Sequence, residues 1–82
     1  VTEADVYAGL TEVFHELFAD DTIVLTPETT AADVDGWDSF NHLNIIVAVE
    51  MRFGIKLQTN EIEGLNNVGD MVRLIMAKVE AR

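Results

Sequence analysis

The chain predicts an all-α fold, a small bundle of three main helices plus one short helix, with a long loop between the first and second helices. Three observations predict it. Apolar residues recur at three- and four-residue steps in three stretches, capping residues stand at the ends of those stretches, and no alternating run is long enough for a strand. The 82 residues are 49% hydrophobic, with 15 Asp and Glu against 5 Lys and Arg, a net charge of −10. That balance describes a folded acidic chain rather than a disordered one. We expect one domain over residues 1–82. Such a domain hides only about 60% of its extended surface, which leaves little room for a buried multi-residue active site.

The first helix follows from Val6, Leu10, Val13, Phe14 and Leu17 on one face, with Tyr7 and Phe18 beside them. Thr2 is its expected N-cap, and Glu3 and Asp5 lie in the first turn, where carboxylates meet the positive end of the helix dipole. Asp20 and Asp21 end it. From Asp20 to Asp38 the helical period lapses: Pro27, Gly36 and a series of Thr and Asp residues favour local turns. Ile23, Val24, Leu25, Val34 and Trp37 are the side chains expected to pin this loop to the helices.

The second helix runs from Asp38 to Phe53, with Asp38 or Ser39 at its cap and Gly54 at the left-handed C-terminal position. A short third helix over Asn60–Leu65 turns Ile62 and Leu65 inward. The last helix begins after Asn67, carries Val68, Met71, Val72, Ile75 and Val79, and runs nearly to Arg82, with Asp70 completing a weaker variant of the capping box.

The second helix is apolar on two sides. At about 100° per residue, His42, Ile45, Ile46, Val49 and Phe53 share one sector, and Phe40, Leu43, Val47 and Met51 share one nearly opposite. A thin bundle covers one side. Either the long loop folds over the second stripe, or Phe40, Leu43 and Val47 form an exposed docking strip.

Several functions are excluded or disfavoured. There is no cysteine, hence no disulfide, thiolate metal site or thiol nucleophile, and a cytoplasmic location is the expectation. The longest apolar run, Ile45–Val49, is far short of the ~20 residues of a bilayer span. No export signal is visible in the first residues. The acidity argues against nucleic acid and in favour of basic partners. Aligning Gly36 with the sixth position of a calcium loop puts Ala31 and His42 at its first and last ligands, so that site fails. Ser39 and His42 stand three apart on one helix, but no orienting acid or oxyanion pocket accompanies them as a hydrolase requires. His42 is expected to cap or border the core, His15 to be a partly solvated helix residue, and Met51, Met71 and Met76 to fill gaps in the core.

Ser39 carries the remaining signal. The run Asp35-Gly36-Trp37-Asp38-Ser39-Phe40 joins the loop to the helix and sets a hydroxyl on the first turn, beside free backbone N–H groups that favour an anion. A helix-capping serine is the bland alternative. In size, acidity, helix order and the Asp38-Ser39-Phe40 motif, the chain resembles the acyl carrier protein family over nearly its whole length.

Two isolated histidines make no metal site, and that resemblance implies a 4′-phosphopantetheine arm joined by a phosphodiester to Ser39, with no catalysis by the chain itself. Acyl groups would ride on the arm as thioesters. A phosphopantetheinyl transferase would modify Ser39, and acyl-loading and acyl-transfer enzymes would dock through Asp38, Phe40, Leu43, Val47 and Glu50 on a monomeric carrier. Phe40 stands where the family most often has Leu, and the second helix is less acidic than in fatty-acid carriers. Both differences suggest a specialised carrier in a dedicated lipid or secondary-metabolite pathway, with docking weighted toward Phe40, Leu43 and Val47. An unmodified acidic helical interaction module is the alternative function.

Overall fold

Capping decides where the helices start and stop. The computed structural model describes residues 2–81 and contains α1 (Glu3–Phe18), a 3₁₀ turn (Ala31–Asp33), α2 (Ser39–Phe53), α3 (Thr59–Glu63) and α4 (Val68–Ala81), with no strand among the described residues. Thr2 and Asp5 form a reciprocal capping box at α1, and Ala19 closes that helix in a left-handed conformation. Asp38 is the N-cap of α2, its carboxylate accepting the N–H of Asn41 at 2.9 Å, and Gly54 ends it at φ 66°. Both positions agree with the sequence.

Helix α3 begins one position earlier than the periodicity suggests, because Gln58 serves as its N-cap and the Glu61 side chain returns to the Gln58 N–H. Leu65 follows the helix and packs against the core from outside it. At α4 the Asn67 side chain accepts the N–H of Asp70 at 2.8 Å, while the Asp70 carboxylate accepts from Asn66 rather than from Asn67. The helix reaches Ala81, and Arg82 lies outside the described residues.

α1 packs against both α2 and α4 around a core whose largest fully buried members include Phe14, Leu10, Ile45, Met71 and Ile75. Every residue of the α1 face named from periodicity is buried or packed against this core. No helix among the described residues is long and apolar enough to cross a membrane.

The long loop is fixed by hydrogen bonds. Its backbone carbonyls at Thr29 and Pro27 accept the N–H groups of Val68 and Gly69 at 2.8 and 3.0 Å, so it closes the otherwise unpaired N-terminus of α4. Thr29 is buried there, its hydroxyl accepting the Thr26 N–H at 2.9 Å. His15 donates from Nε2 to the Ile23 carbonyl at 2.8 Å, which ties the start of the loop to α1. His15 is thus a structural tie as well as a half-buried helix residue.

This path corrects the expectations for Val24 and Met51 and decides between the two readings of the second stripe of α2. Ile23, Leu25, Val34 and Trp37 pack against the core as anticipated, but Val24 is 77% exposed, because its neighbours on either side point inward. The loop also leaves the second stripe of α2 uncovered, since its bonds carry it to α4. Met51 belongs to that stripe and is 80% exposed, so it fills no gap in the core, whereas Met71 is buried and Met76 packs at the core's edge.

Candidate functional site

Ser39 is the first residue of α2 and is exposed. The first turn of a helix presents N–H groups without intrahelical partners. Here the Asp38 carboxylate takes that of Asn41, and the N–H of His42 makes the first intrahelical bond, to the Asp38 carbonyl at 2.8 Å. The N–H groups of Ser39 and Phe40 therefore remain for a ligand beside the hydroxyl. Gly36, at φ +90°, turns the chain into this corner and its carbonyl accepts the Asn41 side-chain amide at 2.6 Å.

A cavity of about 440 Å³ opens beside Ser39. Trp37 and His42 line one part of it, and Leu65, Asn66 and Met71 another, so it lies between the start of α2 and the connection from α3 to α4. The Trp37 indole N–H donates to Nδ1 of His42 at 3.1 Å, and the two rings stack with centroids 6.0 Å apart at 17°. Trp37 also sets its edge against Phe14 of the core, at 5.1 Å and 82°. Burial holds the His42 imidazole below its usual value. This pair was not foreseen, although His42 does border the core.

The remaining charges of α2 are engaged within the chain. One Glu50 oxygen accepts the Leu57 N–H at 2.8 Å, and Arg52 pairs with Glu12 of α1. Outward from the helix stand Phe40, Leu43, Val47 and Met51, exposed by 73, 59, 53 and 80%. An apolar strip thus starts next to Ser39 and runs down a helix of an otherwise acidic molecule. Of the five side chains first named for docking, Phe40, Leu43 and Val47 face outward without a polar role, while Asp38 is occupied as a cap and Glu50 as a tether.

Comparison with known proteins gives a consistent answer. No family model matches the chain. The meromycolate extension acyl carrier protein of Mycobacterium leprae (strain TN) is 32% identical over 75 residues, covering 92% of this chain and 65% of that protein. The acyl carrier protein of Myxococcus xanthus is 32% identical over 74 residues, covering 90% of this chain and 94% of its own length. The chain belongs to the acyl carrier protein family.

The fold agrees with that assignment. A solution NMR structure of a holo acyl carrier protein from Geobacter metallireducens superposes with a TM-score of 0.87 at 43% identity, over 93% of this chain and 87% of that one. The bundle of three main helices and one short helix is therefore the acyl carrier protein fold. The chain spans 65% of the length of the mycobacterial extension carrier it matches.

Three features meet at the candidate serine. The hydroxyl is reachable, two backbone N–H groups stand by for a phosphodiester, and a cavity adjoins the attachment point.

Proposed function

We propose that this chain carries acyl groups as thioesters on a 4′-phosphopantetheine arm attached to Ser39 and presents them to separate enzymes of a dedicated lipid or secondary-metabolite pathway. The observation that carries the reading is the exposed Ser39 hydroxyl on the first turn of α2, next to the free N–H groups of Ser39 and Phe40. When bound, the arm supplies the thiol that a cysteine-free chain lacks. The chain's own residues hold and display it: Asp38 fixes the helix start, Gly36 sets the approach, and the positive end of α2 faces the phosphodiester.

Carriage rather than catalysis fits the histidine nearest to Ser39. Because Nδ1 of neutral His42 accepts the Trp37 N–H, the ring proton sits on Nε2. Neither nitrogen is then free to take a proton from a serine, which a hydrolytic role requires.

The residues 1–82 act here as one carrier domain, monomeric and cytoplasmic. Its partners are a phosphopantetheinyl transferase and acyl-loading and acyl-transfer enzymes that dock on Phe40, Leu43 and Val47. With the α2 charges tied up internally, those partners offer apolar contact surface there, and the −10 net charge adds long-range attraction for basic ones.

Coexpression with a phosphopantetheinyl transferase, followed by intact mass, tests the reading. A gain of one phosphopantetheine unit that disappears in Ser39→Ala is expected. No gain with several transferases would favour an unmodified interaction module.

A further inference from the structure

His42 follows Ser39 by three residues on α2, so the two side chains share one face on neighbouring turns, with Cβ atoms about 5–6 Å apart. Helical side chains lean toward the helix N-terminus, and the bond from the Trp37 indole to Nδ1 shows that the His42 ring does so here. The ring therefore leans over the turn that carries the Ser39 hydroxyl, and both residues line the same cavity. With Nδ1 occupied as an acceptor, the ring proton is on Nε2, and among the described residues that N–H has no hydrogen-bond partner. It is not sealed in the core either, because no fully buried side-chain nitrogen or oxygen among the described residues is left without a partner. A donor of fixed direction thus stands open beside the attachment point.

We propose that His42 binds the phosphodiester of the arm, its Nε2–H donating to a phosphate oxygen alongside the N–H groups of Ser39 and Phe40. The inference rests on the carrier reading of Ser39. The phosphodiester is the anionic part of the arm and joins Ser39 Oγ directly, and a hydrogen bond to an ion is about twice as strong as a neutral one. The corner already holds the Asp38 carboxylate, which accepts the Asn41 N–H and repels a second anion. A further donor offsets that repulsion. Trp37 fixes the tautomer and the direction of the ring, and no bond is made or broken by either side chain.

The contact gives the imidazole an anion as neighbour, which favours its charged form. Before modification burial holds the ring low, and among the described residues Asp38 is the other titratable side chain on the cavity. α1 meets this corner through the apolar Phe14, the connection to α4 brings Leu65, Asn66 and Asn67, and Asp70 of α4 is engaged by the Asn66 N–H and by Arg73. These groups and the Trp37 bond are common to the unmodified and modified chains, so the difference between the two reads the arm. The test is NMR of the whole chain before and after modification of Ser39, with no acyl group loaded. The titration midpoint of His42 should rise by about 0.5–1 pH unit on modification. The phosphorus resonance should titrate with that same midpoint, since a phosphodiester is itself ionised throughout about pH 5–8 and reports a neighbouring group there. The Nε2–H proton, broadened by exchange with water in the unmodified chain, should sharpen.

A His42 midpoint that stays where it was, or a phosphorus resonance flat with pH in the modified wild type, would overturn the proposal. So would an Nε2–H that exchanges as fast after modification as before. None of these readings depends on a variant folding. In His42→Gln the phosphorus titration should vanish, and its persistence at the wild-type midpoint in a folded variant would assign it to another group and overturn the proposal as well. All four failures leave the mass gain at Ser39 intact. Absence of that gain is a separate outcome, which removes the carrier reading and this proposal with it.

Discussion

Trp37 donates its indole N–H to Nδ1 of His42 across the junction between the long loop and α2, five residues apart in sequence and 3.1 Å apart in space. The bond needs the neutral imidazole, because a doubly protonated ring has no acceptor to offer. It thus links the protonation of one side chain to the seating of the loop that leads to Ser39.

The pH dependence of stability follows. Burial lowers the folded-state affinity of His42 for a proton, so the unfolded chain takes it up first. Stability from this group is complete above its ordinary value of about 6.5 and falls as pH drops toward the folded value. Urea unfolding at about pH 7.5 and about pH 5.5 should show a smaller loss on acidification in His42→Gln than in the wild type. The comparison isolates the imidazole, because every other ionisable group is common to the two proteins. An equal change in the two would contradict the assignment.

Gly69 is buried within the first turn of α4, where alanine would ordinarily improve a helix by about 1 kcal/mol. Here a Cβ would lie 2.9 Å from the Pro27 carbonyl oxygen and 3.2 Å from Pro27 Cα. Backbone atoms cannot swing aside, so Gly69→Ala should destabilise by about 1–3 kcal/mol and strain the contact that seats the long loop. Chemical denaturation gives the sign. A more stable variant would show that the loop and α4 are less tightly joined than their two backbone hydrogen bonds indicate.

Leu43 separates docking from packing. It is 59% exposed, so Leu43→Asp should leave stability within about 0.5 kcal/mol of the wild type. Modification by the transferase should weaken instead, with a KM about tenfold higher if Leu43 is an anchor of the interface. Raising salt from about 0.1 to about 1 M, which shortens the screening length from about 10 to about 3 Å, should slow encounter with a basic partner but spare most of the apolar contact. Unfolding of Leu43→Asp would return the residue to the core.

Asp38 holds the start of α2 through the Asn41 N–H. Its replacement by Ala should cost about 1 kcal/mol, while Asp38→Asn retains a capping oxygen and most of the stability. Thermal melts of the two variants distinguish the cap from a purely electrostatic role.

The helices were legible because their signals are local. Thr2, Asp38, Gly54 and Asn67 each mark an end by the chemistry of one side chain or one backbone angle, and the inward face of α2 follows from a fixed angle per residue. Ser39 was legible for the same reason, as a hydroxyl on a recognisable first turn. Periodicity gives a direction but does not say what faces it, so the second stripe with Met51 could be assigned only once the loop's path was known. That path depends on carbonyls at Pro27 and Thr29 meeting α4, forty residues away, and on no side-chain pattern. The 3₁₀ turn at Ala31–Asp33 is too short to have a period. The Trp37–His42 bond joins a loop to a helix, and nothing in their five-residue separation fixes the distance between them.

Tandem mass spectrometry of the peptide spanning Ser39, taken from protein isolated from its native cell, addresses the carrier role most directly. The account predicts a phosphopantetheine on Ser39, with an acyl group on its thiol in part of the material and release of the pantetheine fragment on activation. An unmodified serine in material from every growth condition would contradict it.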